Sequence, residues 1–145
     1  MSQLNLSVVS PVETILQTDC TQITAPTQMG LITILPSHAP LFAILHQGEV
    51  VVVDDEKKST HLFVSGGFIN VNKNKVTLLV DYGIHSDDLD EKIILEAKER
   101  AEKVIAESVH ETLTKKAQAD LLHASLQLQF YRKHKEHHAN SGKPH

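Results

Sequence analysis

Tryptophan is absent from this chain, and four phenylalanines and two tyrosines are its only aromatic residues. With so few flat rings, and a formal net charge of −4 over 145 residues, it offers neither the stacking platform nor the basic footprint that nucleic acid requires. A single cysteine, Cys20, excludes an internal disulfide and points to a reducing compartment. No apolar run approaches the roughly 20 residues that span a bilayer. The start, Met1-Ser2-Gln3-Leu4-Asn5, lacks the basic region and apolar run of a secretory signal. Membrane association is therefore expected only indirectly, through a partner. Catalytic groupings are missing too: no dyad or triad stands out, and Ser65-Gly66-Gly67 is too short for a phosphate loop and reads as a hairpin turn. Gly142-Lys143 lacks both the upstream glycine and the following Ser or Thr of such a loop. His134, His137, His138 and His145 carry metal-ligand chemistry, but nothing in their spacing fixes a geometry. The expectation is a chain that is not an enzyme and holds no cofactor or metal.

Glycine and proline are missing from one half of the chain. Nine of the eleven lie at or before Gly83, and none occurs between Ile84 and Ser141. These residues mark turns and bulges, so a many-turned β domain followed by helices is predicted. The boundary is placed at His85-Ser86-Asp87, giving a β domain over 1–86, a helical hairpin over 87–136 and a disordered, histidine-containing tail over 137–145. A hydrophobic content of 41% suffices for one modest core, or a small core with an appendage.

What is present supports that division. Leu4, Leu6 and Val8 alternate with Asn5 and Ser7, and Val76, Leu78, Val80 and Tyr82 alternate with Thr77 and Asp81. Further strands are predicted over Glu13–Leu16, Gln22–Ala25, Phe42–Leu45, Glu49–Val53, His61–Val64 and Phe68–Asn72. Polar turns separate them at Asp54-Asp55-Glu56-Lys57-Lys58 and Asn72-Lys73-Asn74-Lys75. Short strands at such spacing indicate a sandwich or barrel, and Val50–Val53 reads as a central strand buried on both faces.

Ser86, Asp87 and Asp88 are helix-capping types, and Asp88 with Glu91 has the spacing of a capping box. Ile94, Ala97, Ala101, Val104 and Ser108 then form one stripe, widened by Ile93 and Ile105. Ser108-Val109-His110-Glu111 repeats the capping spacing, so a second helix is predicted from Glu111 to Lys135. Its pattern is unusual. Ala117, Leu121, Ala124, Leu128 and Tyr131 share one side, while Ala119, Leu122, Leu126 and Phe130 share nearly the opposite one. Two opposed apolar stripes imply two partners, at once or by turns. The charge is split as well: residues 88–111 hold eight acids and four bases, whereas 112–145 hold two acids and six bases. Segments of opposite sign suit an antiparallel helix pair and give the second an affinity for an acidic surface.

The stretch Gly30-Leu31-Ile32-Thr33-Ile34-Leu35-Pro36-Ser37-His38-Ala39-Pro40-Leu41 organises the rest. Gly30 and Pro36 bracket a short apolar segment that reads as a buried strand. The two prolines stiffen the turn that follows and hold His38 at its outer edge. Taken alone, such a histidine is usually structural.

This stretch resembles the G-x-x-G-I-L-P-G-H-x-P-L strand and loop of the epsilon subunits of F-type ATP synthases. Val64-Ser65-Gly66-Gly67-Phe68, Val76-Thr77-Leu78-Leu79-Val80-Asp81 and Leu89-Asp90-Glu91 are similar to further motifs of that family, in order, from about Leu4 to about Lys135. Thr33 and Ser37 replace usual glycines, and Leu31 replaces a frequent glutamate. The resemblance implies an α+β, mainly β fold: an N-terminal antiparallel β-sandwich followed by a C-terminal antiparallel two-helix hairpin. It implies a non-catalytic rotor subunit in the central stalk of a proton-translocating ATP synthase, peripheral on the cytoplasmic face of the bacterial inner membrane. The implied partners are the gamma subunit and the c ring, through Gly30, Leu31, His38, Ala39 and Pro40, and the alpha and beta subunits, through the hairpin. Lys115, Lys116, Arg132, Lys133 and Lys135 would make the contact by which the hairpin inhibits ATP hydrolysis. Some family members bind ATP through I/L-D-x-x-R-A. Here Leu89, Asp90 and, further on, Arg100 match, while Ile93 and Ile94 occupy the R-A pair, and no replacement for the lost guanidinium is in sight. The plainer reading takes Asp90 as a helix-start charge and Ile93 as core. An ATP-sensing module with nucleotide between sandwich and hairpin is the alternative function. A free-standing adhesion or sugar-binding sandwich leaves the two-faced helix unexplained.

Overall fold

Among the described residues the alternating segments form eight strands: β1 (Leu4–Val9), β2 (Thr14–Cys20), β3 (Gln22–Thr27), β4 (Gly30–Ile34), β5 (Leu41–Val53), β6 (Ser59–Asn72), β7 (Lys75–Val80) and β8 (Gly83–His85). The computed structural model describes residues 3–107 and 111–141, with side chains over 3–107 and 112–134. The chain divides into two units, Met1–His85 and Ser86–His145. The first holds all the strands and the second all the helices.

In the first unit the strands hydrogen-bond in the order β2-β1-β7-β6-β5-β3-β4, with β8 added to β6. The expected all-antiparallel pattern is broken once, because β1 and β7 run parallel. No hairpin turn joins these two strands, so nothing local dictates their relative direction.

Four expected strands merge into two. Phe42–Leu45 and Glu49–Val53 both lie within β5, and His61–Val64 and Phe68–Asn72 both lie within β6. The two long strands stay in register from Leu41 opposite Val71 to Val53 opposite Ser59. Their buried side nevertheless switches midway. In β5 it passes from Ala43 and Leu45 to Val50 and Val52, and in β6 from Leu62 and Val64 to Ile69 and Val71. A two-residue repeat keeps one face inward only along an unbroken pleat. The ribbon therefore turns over at Gln47-Gly48 and Ser65-Gly66-Gly67, as strands do when they pass between the layers of a sandwich.

Ser65-Gly66-Gly67 is consequently not a hairpin turn but the crease of a strand. Gly66 and Gly67 have φ of 114° and 128°. A Cβ on Gly67 would lie 1.9 Å from the Leu79 carbonyl oxygen and 2.8 Å from Val80 Cα. The backbone of β7 occupies the space any other side chain needs.

Within the fold, Leu4, Leu6 and Val8 of β1 and Val76, Leu78 and Val80 of β7 join Ile23, Ala25, Ile34, Val50, Val52, Leu62 and Val64 in one core. Two expectations change. Val51 and Val53 are only half-buried, so the valine run has one fully buried face. Tyr82 lies beyond the end of β7 and is exposed. Cys20 is fully buried, and burial followed by the nearby Asp19 carboxylate pushes its thiol up to about 11, which leaves it unreactive.

The second unit opens with a short 3-10 turn at Ser86–Asp88, then α1 (Glu91–Glu107) and α2 (Glu111–Ser141). The cap differs from the expected Asp88–Glu91 box. The Lys92 amide donates to Asp90 Oδ1 at 2.9 Å, which makes Asp90 the N-cap. Ser108, Val109 and His110 of the expected restart lie outside the described residues. α2 continues six residues past Lys135, because the first helix-breaking residue is Gly142. Residues 137–141, expected to be disordered, are thus helical, and 142–145 lie outside the described residues. Arg132 Nε near the end of α2 lies 3.7 Å from Glu91 Oε1 at the start of α1, so the helices run antiparallel.

Candidate functional site

The organising stretch is an edge strand. Among the described residues β4 pairs only with β3, and its side chains are mostly exposed, with Leu31 72% accessible and Ile34 fully buried. The expected buried strand is therefore corrected. An edge position leaves the outer row uncovered, so Ile34 alone is fully buried and Ile32 packs partly buried against the core. At its start, Thr27 Oγ1 donates to the Gly30 carbonyl at 2.7 Å and accepts from the Met29 amide at 3.2 Å. This closes a tight turn that presents Met29 and Leu31 outward.

At the other end, the His38 amide donates to the Leu35 carbonyl at 3.1 Å, with Pro36 and Ser37 at the centre of the turn. Ser37 has φ of 69°, a left-handed value, at the position where a glycine was expected. His38 Nδ1 donates to the Ala39 carbonyl at 2.7 Å, so the ring folds back on its own loop. The Gln28 amide donates to the Ile44 carbonyl at 3.0 Å, which ties the β3–β4 turn to β5. Ser37 is tied instead to Asn74 in the β6–β7 turn.

A neighbouring feature escaped the sequence reading. On the outer face, Ile44 of β5 stands opposite Phe68 of β6, and Phe68 stands opposite Leu79 of β7. Phe42 stacks on Phe68 with ring centroids 5.4 Å apart. All four are exposed, Phe42 to 66%. With Met29 beside Phe42 and Ile44 they make a row of apolar side chains on positions where a sandwich normally shows polar ones. The signal was present: Leu41-Phe42-Ala43-Ile44-Leu45 does not alternate, so one of its faces had to point outward apolar.

The hairpin places the remaining candidates. Asp90 is the N-cap of α1, and its carboxylate is engaged by the Lys92 amide. Ile93, expected in the core, is 61% exposed, whereas Ile94 is 2% exposed and takes that role. One residue is 100° of helix, enough to move a side chain from seam to solvent. Arg100 borders a cavity of about 410 Å³ between α1 and α2, lined by Ala97, Ala101, Ala117 and Ala124 with Lys116, Asp120 and His123. Burial holds the His123 imidazole below its usual range, against the opposing pull of Asp120.

Lys115, Lys116, Arg132 and Lys133 are all exposed. Lys115 and Lys133 fall on one face five turns apart, with Lys116 and Arg132 to either side. Arg132, itself exposed, is the partner of the half-buried Glu91, a pair of small energetic worth at 3.7 Å. The Lys135 side chain lies outside the described residues. Of the histidine group, His134 packs edge-on against Phe130 at 4.5 Å, and the side chains of His137, His138 and His145 lie outside the described residues.

With Asp90 engaged as a cap and no guanidinium at position 93, ATP is expected to bind no tighter than millimolar. Calorimetric titration checks this, and submillimolar binding would overturn it. Ile93→Arg is the variant to compare, since its exposed position accepts a long side chain. Ile94→Ala, by contrast, would empty a core site at a cost of about 2–5 kcal/mol.

The family described as "ATP synthase, Delta/Epsilon chain, beta-sandwich domain" matches residues 3–86. An ATP synthase epsilon chain of Alkalilimnicola ehrlichii is 40% identical over 129 residues, covering 89% of this chain and 92% of that one. One of Nitrosomonas europaea is 36% identical over 124 residues, covering 86% and 89%. Among solved structures, a chain of the Euglena gracilis mitochondrial ATP synthase OSCP/F1/c-ring shares the fold with a TM-score of 0.75 at 24% identity, covering 89% of this chain and 81% of that one. A chain of the Tetrahymena thermophila mitochondrial ATP synthase central stalk/c-ring has a TM-score of 0.57 at 16% identity, covering 88% and 96%. A β unit matched along almost its whole length, with relatives of one name spanning both units, establishes that the chain belongs to the ATP synthase epsilon chain family.

Proposed function

We propose that the chain is a non-catalytic rotor subunit in the central stalk of a bacterial proton-translocating ATP synthase. In this reading the β unit joins the gamma subunit to the c ring and so couples ion flow to ATP synthesis. The helical unit contacts the alpha and beta subunits and restrains ATP hydrolysis. The chain sits peripherally at the cytoplasmic face of the inner membrane, held by its partners. Among the described residues no helix is long and apolar enough to cross a membrane.

The observation that carries the reading is the outward row Phe42, Ile44, Phe68 and Leu79. The core of the β unit is built from other residues, and the cross-strand contacts within this row are worth about 1 kcal/mol each at most, so much of its apolar surface is left in water. A flat apolar face with aromatic anchors suits a permanent protein partner, and gamma is the one the family supplies. The Met29–Ile32 turn and the His38-Ala39-Pro40 loop are then the segments that face the ring. With Leu31 in place of an acidic residue, the contact there is apolar rather than ionic.

The test replaces the two stacked rings. Phe42→Asp with Phe68→Asp leaves every core position untouched, so the circular dichroism spectrum should stay that of the parent. Affinity for purified gamma should fall at least about 100-fold, as expected when two aromatic anchors lose their burial. Undiminished binding would remove this face as the gamma site.

A further inference from the structure

Asn74 stands at a junction of three segments. It is the second central residue of the turn between β6 and β7, where Lys73 and Asn74 have φ of 51° and 62°. Both values lie in the left-handed region, the pattern of a tight two-residue hairpin. Its carbonyl accepts from the Asn5 amide at 2.7 Å, which anchors the start of β1. Its side-chain Oδ1 accepts from the Ser37 amide, in the middle of the loop between β4 and β5. Thirty-seven residues separate the two partners in sequence.

The loop needs such an anchor. Pro36 and Pro40 set their own φ and donate no backbone hydrogen bond, and the His38 amide is already used within the turn. Ser37 holds a left-handed conformation that a residue with a Cβ seldom adopts. The Asn74 acceptor secures that conformation from outside the loop. We infer that Asn74 is the positioning residue of the Leu35–Pro40 loop, setting the height and angle at which His38 and Ala39 are presented to the partner below the β unit. This rests on the reading above that the loop faces the c ring.

The chemistry at position 74 is doubly constrained. The backbone asks for a residue that tolerates positive φ, which means glycine, asparagine or aspartate. The Ser37 amide asks for an acceptor on a short side chain, which of these three only asparagine and aspartate provide. Asn74→Gly keeps the turn and removes the acceptor, whereas Asn74→Asp keeps both. The pair therefore separates positioning from folding.

The experiment uses the full-length chain for amide hydrogen exchange and the synthase assembled with it for ATP-driven proton pumping. A third variant replaces His38, Ala39 and Pro40 with glycine and reports on the ring-facing role by itself. For Asn74→Gly, exchange at Ser37 should speed up roughly fivefold or more, as loss of one hydrogen bond does to a local opening equilibrium. The amides of β6 and β7 should be unchanged, and pumping per ATP hydrolysed should drop. Asn74→Asp should behave as the parent in both measurements. Unchanged exchange at Ser37 in Asn74→Gly overturns the inference. So does full pumping by Asn74→Gly when the triple-glycine variant fails to pump, and in that case the ring-facing reading stands. Full pumping by the triple-glycine variant overturns the ring-facing reading, and the inference falls with it.

Discussion

Removing everything after Asp87 is expected to raise ATP hydrolysis by the assembled synthase about fivefold while synthesis stays close to the full-length rate. The β unit retained by this truncation has its own strand set and core, so residues 1–87 should fold alone and still bind gamma. The unit removed has the physical character of a moving part. Small side chains, Ala97 and Ala101 of α1 and Ala117 and Ala124 of α2, line the groove of about 410 Å³ between the helices, which is open to water. Small side chains bury little apolar area, and an open groove forfeits contacts that a filled seam would make. The opposite stripe of α2 is open at Ala119 and Leu122, the latter 57% exposed, and closes only towards Leu126 and Phe130. A weakly packed helix with an uncovered apolar stripe has something to gain from a second partner. In the braked state α2 would leave α1 and enter the catalytic hexamer beside gamma, where Lys115, Lys116, Arg132, Lys133 and Lys135 meet an acidic rim.

The magnitude follows from small terms. Each exposed ion pair contributes up to about 1 kcal/mol. A bias of about 1 kcal/mol between two states changes their ratio roughly fivefold. Charge reversal at Arg132 and Lys133 should therefore reproduce most of the effect of truncation, and added salt should weaken the brake. Reversal at Arg132 also removes the Glu91 pair, which loosens the hairpin. Thermal unfolding of the isolated variant separates that effect from lost inhibition. Hydrolysis unchanged by both truncation and charge reversal would show that the hairpin does not act as a brake.

Gly67→Ala is expected to destabilise the β unit by about 3 kcal/mol or more. In a domain of this size that lowers the melting temperature by roughly 10–20 °C. The new methyl would overlap the Leu79 carbonyl at 1.9 Å, and backbone cannot step aside as a flexible side chain can. The positive φ of 128° adds strain of its own. Relief would require β7 to separate from β6 where Gly67 pairs with Val80 and Phe68 with Leu79, and Leu79 and Phe68 belong to the outward apolar row. Gamma binding should thus weaken together with stability. Gly66→Ala provides the contrast: the nearest atom to its added methyl is Asp81 Oδ2 at 3.6 Å, an ordinary contact. Equal melting temperatures for the two variants would refute the close-approach argument.

The order of elements was legible in the residues alone. The disappearance of glycine and proline after Gly83 marks the passage from strands to helices, because those residues punctuate sheets and interrupt helices. The period-2 pattern of Leu4, Leu6 and Val8 picks out side chains that prove fully buried, since alternation is local and survives any arrangement of neighbours. Ala97 and Ala101 of α1, and Ala117 and Ala124 of α2, likewise stand on apolar stripes legible in the sequence, and the fold decides that these two stripes meet. What could not be read is what depends on residues distant in the chain. Ser65-Gly66-Gly67 reads as a turn, yet tertiary pairing carries β6 straight through it, as it carries β5 through Gln47-Gly48, and reverses only the buried side. Ile93 and Ile94 are equally apolar, and only the phase of α1 set by its Asp90 cap sends one to solvent and the other to the seam. Leu31 reads as core until β4 is found at the sheet edge with no neighbour beyond it. Phe42 and Phe68 lie 26 positions apart, and it is the β5–β6 register that stacks them into a face for a partner. Local periodicity determines which residues form elements and which sides are apolar. The long-range register and the place of each strand in the sheet decide which of those sides remain uncovered.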